Sequence, residues 1–193
     1  MQTQYYRTFI GVPVRVNEEF LRSLKELRSL LDGERISWVS PDRYHITIRF
    51  IGDTEIGEVH NIAMSLEDYL EVPGKTEIKL DRLGSFGPRR SPRVIWVGFK
   101  DTGIFELLKA RVDTILETRG ITHDPQPFRS HLTLGRVRSL QDRQRFYNAI
   151  DRMEESFSQN VLTDRLVFYR SELGKGGPVY TILAEKEFLD QAL

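Results

Sequence analysis

The chain has 193 residues, enough for one domain or two small lobes, and its 39% hydrophobic content can fill a core. With 28 Lys and Arg against 28 Asp and Glu the formal net charge is zero, which excludes a protein drawn to nucleic acid or membrane by its overall field, so any polyanion site has to be local. The lack of cysteine excludes disulfides, thiolate metal sites and cysteine nucleophiles; with no basic leader before an apolar stretch and no apolar run of about 18 residues, the chain reads as cytoplasmic, with no membrane partner. The basic residues are 21 Arg and 7 Lys, a skew toward the planar cation that pairs bidentately with phosphate and carboxylate.

Residues 5 to 14, aromatic and β-branched, predict a strand that stops or bulges at Gly11 and Pro13. A helix is expected over 17 to 32, capped by Asn17, with Phe20, Leu21, Leu24, Leu27 and Leu31 as its apolar stripe and Gly33 beyond it. Two strand-like runs, 36 to 39 and 44 to 51, flank Ser40-Pro41-Asp42-Arg43 and predict a hairpin. Ile56, Val59, Ile62, Ala63, Leu66 and Leu70 mark a second helix capped by Asp53 or Thr54 and ended by Pro73 and Gly74. Strands follow at 76 to 83 and 93 to 99, joined by a loop rich in Gly, Pro and Arg, and then a helix at 102 to 119. A strand at 131 to 137 and a helix opening on Ser139 and Asp142 come next; 161 to 170 and 179 to 184 close the chain as a hairpin around GKGGP. Strands in adjacent pairs between helices predict an α+β fold with antiparallel sheets, and the element order hints at two similar halves.

One short repeat supports the halves: His45-Ile46-Thr47-Ile48 and His131-Leu132-Thr133-Leu134, each inside an alternating pattern. On a strand the His and Thr of each copy share one face and the aliphatics the other. Two imidazoles with ordinary pKa values of about 6.5 can act at neutral pH as one general base and one general acid, and two hydroxyls can hydrogen-bond phosphate oxygens. That set suits in-line displacement at phosphorus without a metal; two histidines lacking a Cys partner or an HExxH motif do not make a usual zinc set, and no cofactor is expected. Arg136 could add charge, although plain alternation puts it opposite His131 unless Gly135 allows a bulge; Arg49, with the parity of His45 and Thr47, is a second candidate.

With these motifs in place, the chain resembles the two-histidine (2H) phosphoesterases, and within them the LigT-like RNA 2′,3′-cyclic phosphodiesterases historically called 2′-5′ RNA ligases. The resemblance runs nearly end to end, through RTFIGV, WVSPDRYHITIRFIG, FGPRRSPRVIWVG, FRSHLTLGRV and LVFYRSELGKGGPVYTIL. It implies a single bilobal domain over 1–193, with two pseudo-symmetric lobes, each an antiparallel sheet with helices outside, and a cleft between them. It also implies metal-independent hydrolysis of RNA 2′,3′-cyclic phosphate ends, those of tRNA fragments included, to 2′-phosphates, with weak reverse 2′-5′ ligation. By position, His45 would protonate the 3′-oxygen, His131 would be the base acting on water, and Thr47, Thr133 and Arg136 would hold the phosphate. Many relatives have Pro before the second His, where this chain has Ser130.

Two other readings of the same residues stay open: a cyclic phosphodiesterase for a small nucleotide or ADP-ribose cyclic phosphate, and a nucleotide- or RNA-binding module without turnover. Arg89, Arg90 and Arg93 form either a solvated loop or a grip on an RNA backbone. Phe9, Tyr180 and Phe50 could stack on a base, though Phe50 is expected in the core. His60 and His123 repeat no pattern, and no sustained heptad calls for a dimer, so a monomer is expected.

Overall fold

The computed structural model describes residues 4–122, 124, 126–174 and 177–190, so His123, and Lys175 and Gly176 of the predicted GKGGP loop, lie outside the described residues. The first strand, β1 (Tyr5–Pro13), leads into α1 (Glu18–Leu30), where the Asn17 side-chain oxygen accepts from the Phe20 amide as the pattern predicts. There follow β2 (Arg35–Trp38), β3 (His45–Glu55), α2 (Ile56–Tyr69), β4 (Thr76–Phe86), β5 (Val94–Phe99), α3 (Gly103–Thr118), β6 (Leu132–Ser139), α4 (Arg143–Arg152), β7 (Asn160–Thr163), β8 (Arg165–Gly174) and β9 (Gly177–Glu187). Among the described residues no helix is long and apolar enough to cross a membrane.

The strands pair antiparallel in the order β7-β4-β5-β6-β3-β1-β8-β9, with β2 against β6, and the fold is α+β as expected. Its two lobes follow from where the helices pack. On β3-β1-β8-β9 lie α2 and α3; α4 packs on β4 of the other half and α1 packs on α4. Each helix buries its apolar stripe, Phe20, Leu24 and Leu27 on α1 and Phe105, Leu108, Val112 and Leu116 on α3. The lobes meet at one strand pair, in which Ile46 of β3 is the partner of Leu132 of β6. These are the second positions of the two His-x-Thr-x motifs, so the pseudo-twofold axis passes between them. Both aliphatics are fully buried under the helices, which leaves the opposite, concave face to the histidines and threonines.

Four local expectations give way to this architecture. The hairpin around Ser40-Pro41-Asp42-Arg43 does not form: β2 and β3 both run antiparallel to β6 and lie end to end along its edge, joined by a single 3-10 turn at Pro41–Arg43. Asp53 and Thr54 do not cap α2, because β3 continues to Glu55 and the Thr54 hydroxyl is paired with Thr8 at 2.7 Å. Ser139 is still strand, and α4 is capped by Asp142, which accepts from the Arg145 amide at 3.0 Å. The run 161 to 170 is two strands, since at Asp164 the chain leaves β7, on the edge of one lobe, for β8 in the other. The closing hairpin is formed by β8 and β9.

Candidate active site

The register Ile46↔Leu132, continued by one residue each way, sets His45 opposite Thr133 and Thr47 opposite His131 on the concave face. The four side chains predicted from the repeat are therefore brought together where the lobes join. Each ring is anchored alike. His45 Nδ1–H donates to the Arg43 carbonyl at 2.8 Å and His131 Nδ1–H to the Arg129 carbonyl at 2.7 Å. A carbonyl only accepts, so Nδ1 carries the hydrogen in both rings and Nε2 is left unprotonated when the ring is neutral.

The surroundings push both imidazoles toward that neutral form. The His45 pKa falls from 6.5 to about 4, chiefly by burial, with the Arg136 and His131 charges acting in the same direction and the carbonyl bond against it. His131 is lowered by burial and by the Arg136 guanidinium. His45 lies among rings, with Phe9 at 4.8 Å, Tyr180 edge-on at 5.3 Å and Tyr169 at 6.1 Å, and Phe86 meets His131 edge-on at 4.9 Å. Burial in turn raises the Tyr180 hydroxyl pKa and pushes that of Tyr169 up to about 12, so both phenols stay protonated donors at neutral pH.

A one-residue bulge follows each motif at the same place. In β6, consecutive residues Ile95 and Trp96 of β5 oppose Gly135 and Thr133, leaving Leu134 extra; in β3, Ile10 and Gly11 of β1 oppose Arg49 and Thr47, leaving Ile48 extra. The bulge reverses the parity of what comes after. Arg136 therefore turns onto the concave face opposite Val94, where its charge acts on His45, His131 and Tyr180. In β3 the same device turns Arg49 away from the site. Arg49 is 4% exposed, ion-paired with Asp113 of α3 at 3.6 Å, and is not a phosphate ligand candidate in this geometry. Phe50, expected in the core, is instead 45% exposed and lines a cavity with Thr47 and His131, because it holds the position that Arg136 holds in β6. Phe9, paired with Phe50 and Tyr169 on the same face, is buried beneath His45 and is not available to a base.

Two cavities flank the histidines. One, of about 530 Å³, opens beside His45 between Tyr169, Tyr180 and Arg43; the other, of about 480 Å³, lies beside His131 between Phe50, Phe86 and Phe128. A sequence model of the family "LigT like Phosphoesterase" matches residues 10–96 and 103–180, which includes both motifs. The chain belongs to that family. It is 31% identical over 180 residues to the RNA 2′,3′-cyclic phosphodiesterase of Archaeoglobus fulgidus, covering 90% of this chain and 96% of that one. To the protein of the same name from Thermotoga maritima it is 29% identical over 186 residues, covering 94% and 95%. Among solved structures, TT0787 of Thermus thermophilus shares the fold at a TM-score of 0.76 and 23% identity, covering 96% of this chain and all of that one. Escherichia coli LigT complexed with 3′-AMP shares it at 0.72 and 19%, covering 96% and 99%.

In this LigT-like phosphoesterase, Gly11 is what lets β1 lie close behind His45. A Cβ there would stand 2.9 Å from the Ile46 carbonyl oxygen and 3.3 Å from His45 Cδ2, and the carbonyl, being backbone, cannot swing aside. Gly11→Ala is expected to cost about 2 kcal/mol of stability and to displace His45, so that activity at a temperature where the variant is fully folded falls at least tenfold. A thermal melt read beside turnover checks both. Tyr169 and Phe86 are site neighbours that the sequence reading missed. For Tyr169 a signal existed, since alternation with buried Leu166 and Phe168 puts it on the opposite face. His60 is exposed on α2, away from both motifs.

Proposed function

We propose that this protein hydrolyses the 2′,3′-cyclic phosphate at RNA ends to a 2′-phosphate, with His45 and His131 as acid and base and with no metal ion or cofactor. The observation that carries the proposal is the pair of imidazoles on adjoining strands of one concave face, each held through Nδ1 with Nε2 left for chemistry. Relatives named RNA 2′,3′-cyclic phosphodiesterase, matching over most of the chain, support the substrate class. In the proposed step His131 Nε2 takes a proton from water, the water oxygen attacks phosphorus, the bond from phosphorus to O3′ breaks, and His45 delivers its proton to O3′. Thr47 and Thr133 donate to the non-bridging oxygens and Arg136 offsets the negative charge that builds on them. A 5′-hydroxyl in place of the water would give the weak 2′-5′ ligation. Both motifs are needed for one centre, so 1–193 works as a single bilobal unit.

The test is incubation with a short RNA ending in a 2′,3′-cyclic phosphate in excess EDTA. Gain of one water and a phosphatase-sensitive 2′-phosphate is the expected result; untouched RNA would overturn the proposal. The pH dependence has a definite sign. A donor imidazole must be protonated, yet burial holds both rings below 6.5 and His45 lowest, at about 4, so the singly protonated pair forms on the acid side of 6.5 with its proton chiefly on His131, and the proposed step runs through the fraction that carries it on His45. The kcat/KM profile is therefore expected to be a bell centred on the acid side of pH 6.5. Arg136→Gln removes a cation that lowers both pKa values, so it should move that bell to higher pH while raising KM. An unshifted profile in Arg136→Gln would separate Arg136 from the centre.

A further inference from the structure

A groove of about 780 Å³ leaves the site from Arg136, and Arg90, Arg93, Arg138 and Arg143 line it with no carboxylate among its residues. Several arginines elsewhere hold a carboxylate, Arg119 that of Glu58, Arg152 that of Glu26, Arg165 that of Asp164 and Arg170 that of Glu172. Among the described residues none of the five groove arginines has an acidic partner within ion-pair distance; Arg138 Nε donates to the Ser37 hydroxyl at 3.0 Å. In a chain whose charges sum to zero, five exposed guanidinium groups clustered without counter-ions repel one another until an anion joins them.

The groove has a direction and a chemistry. It is built from the loop after β4, from β6 and from the start of α4, and it shares Arg136 with the histidine centre, so a ligand lying in it runs into the place where the phosphate would react. Arg136 and Arg138 stand two residues apart on β6, a rise of about 6.6 Å, the scale of one nucleotide step along an extended strand. No aromatic ring lines the groove, whereas rings crowd the cavities beside both histidines. Stacking on bases belongs to the flanks, and the groove offers only charge. Arg89 of the same loop is not part of it, being laid over the Tyr147 ring at 5.0 Å.

We propose that this groove is the track for the phosphodiester backbone of the RNA that precedes the cyclic end, read without regard to base sequence. The proposal rests on the reading of the site as an RNA cyclic phosphodiesterase. It is tested with the whole protein and the triple variant R93Q/R138Q/R143Q, which touches only exposed side chains and leaves the histidine centre and Arg136 intact. Two substrates are compared: cytidine 2′,3′-cyclic monophosphate, and a single-stranded RNA of about ten nucleotides with the same end, a length typical of such tracks. In the wild type kcat/KM is expected to be at least tenfold higher for the RNA, an advantage that shrinks as salt rises. The triple variant should keep the mononucleotide rate, lose most of the advantage, and show a log–log salt slope shallower by about 2, since each lost phosphate contact removes about 0.7 on a single strand. Full retention of the RNA advantage and of the slope in the triple variant overturns the track. If the wild type turns over neither substrate, the functional reading has failed, and the groove is judged by fluorescence anisotropy of labelled RNA ending in a 2′-phosphate. There, binding at least tenfold weaker in the triple variant upholds it and equal binding overturns it.

Discussion

Replacing His45 or His131 by Ala is expected to lower kcat on a cyclic-phosphate-ended RNA by about 10³-fold each, within the range that a positioned acid or base contributes. The double variant should be little worse than either single one, because donor and acceptor act in the same displacement and losing one already idles the other. KM should change little, since the side chains proposed to hold the phosphate, Thr47, Thr133 and Arg136, are untouched. Each single variant should also lose one limb of the pH bell, and which limb disappears assigns the roles: loss of the basic-side fall with His45→Ala marks His45 as the proton donor. Circular dichroism and thermal melting confirm that each variant is folded, a needed control because His45 is packed against Phe9 and Tyr180. A kcat within threefold of wild type in either folded variant would remove that histidine from the chemistry.

The proposed catalytic pair was legible from sequence because a strand has period two and the motif occurs twice; those facts alone put His45 and Thr47, and His131 and Thr133, on the strand face opposite the aliphatics. That the faces adjoin is a fact of pairing, carried by the single bridge Ile46↔Leu132, which no local pattern encodes. Bulges were the weak point. Gly135 signals one after the second motif, and Arg136 is found where that bulge sends it, but the matching bulge at Ile48 has no glycine to announce it. Laying HITIRF over HLTLGR transfers the bulge from one half to the other and would have exchanged the readings of Arg49 and Phe50. Changes of partner were equally hidden: β2 reads as the mate of β3 and 161 to 170 reads as one strand, because β-propensity says nothing about which strand lies alongside. The same halves differ where chemistry demands it. His+5 is an aromatic ring, Phe50, in one half and a cation, Arg136, in the other, so a near-symmetric fold presents an asymmetric site.

Arg49 gives the largest expected loss of stability. The bulge at Ile48 drives its guanidinium under the sheet, where it pairs with Asp113 of α3 at 3.6 Å, reaches Asp124 at 3.9 Å and donates to the Thr122 carbonyl; Lys109 also pairs with Asp113. Arg49 and Asp113 are 4% and 8% exposed in their side chains, so removing one partner strands charge and a hydrogen-bonding carbonyl away from water. Arg49→Ala is expected to cost about 4 kcal/mol, tempered by the Lys109 pair, which for a chain of this size is a fall in Tm of about 10 °C. Arg49→Lys keeps the charge but lacks the fork needed to hold Asp113 and the Thr122 carbonyl together, so its Tm should fall between wild type and Arg49→Ala. The effect should also reach the site. The segment that Arg49 ties at Thr122 and Asp124 runs on to Arg129, whose carbonyl fixes the His131 ring, so loosening it lets Nε2 wander. Turnover measured well below the melting transition should therefore drop in Arg49→Ala, with His131-dependent kcat falling more than KM rises. Melting within 2 °C of wild type, or full turnover in the folded variant, would show that the segment is held by its other contacts and that the ion network is not what aims His131.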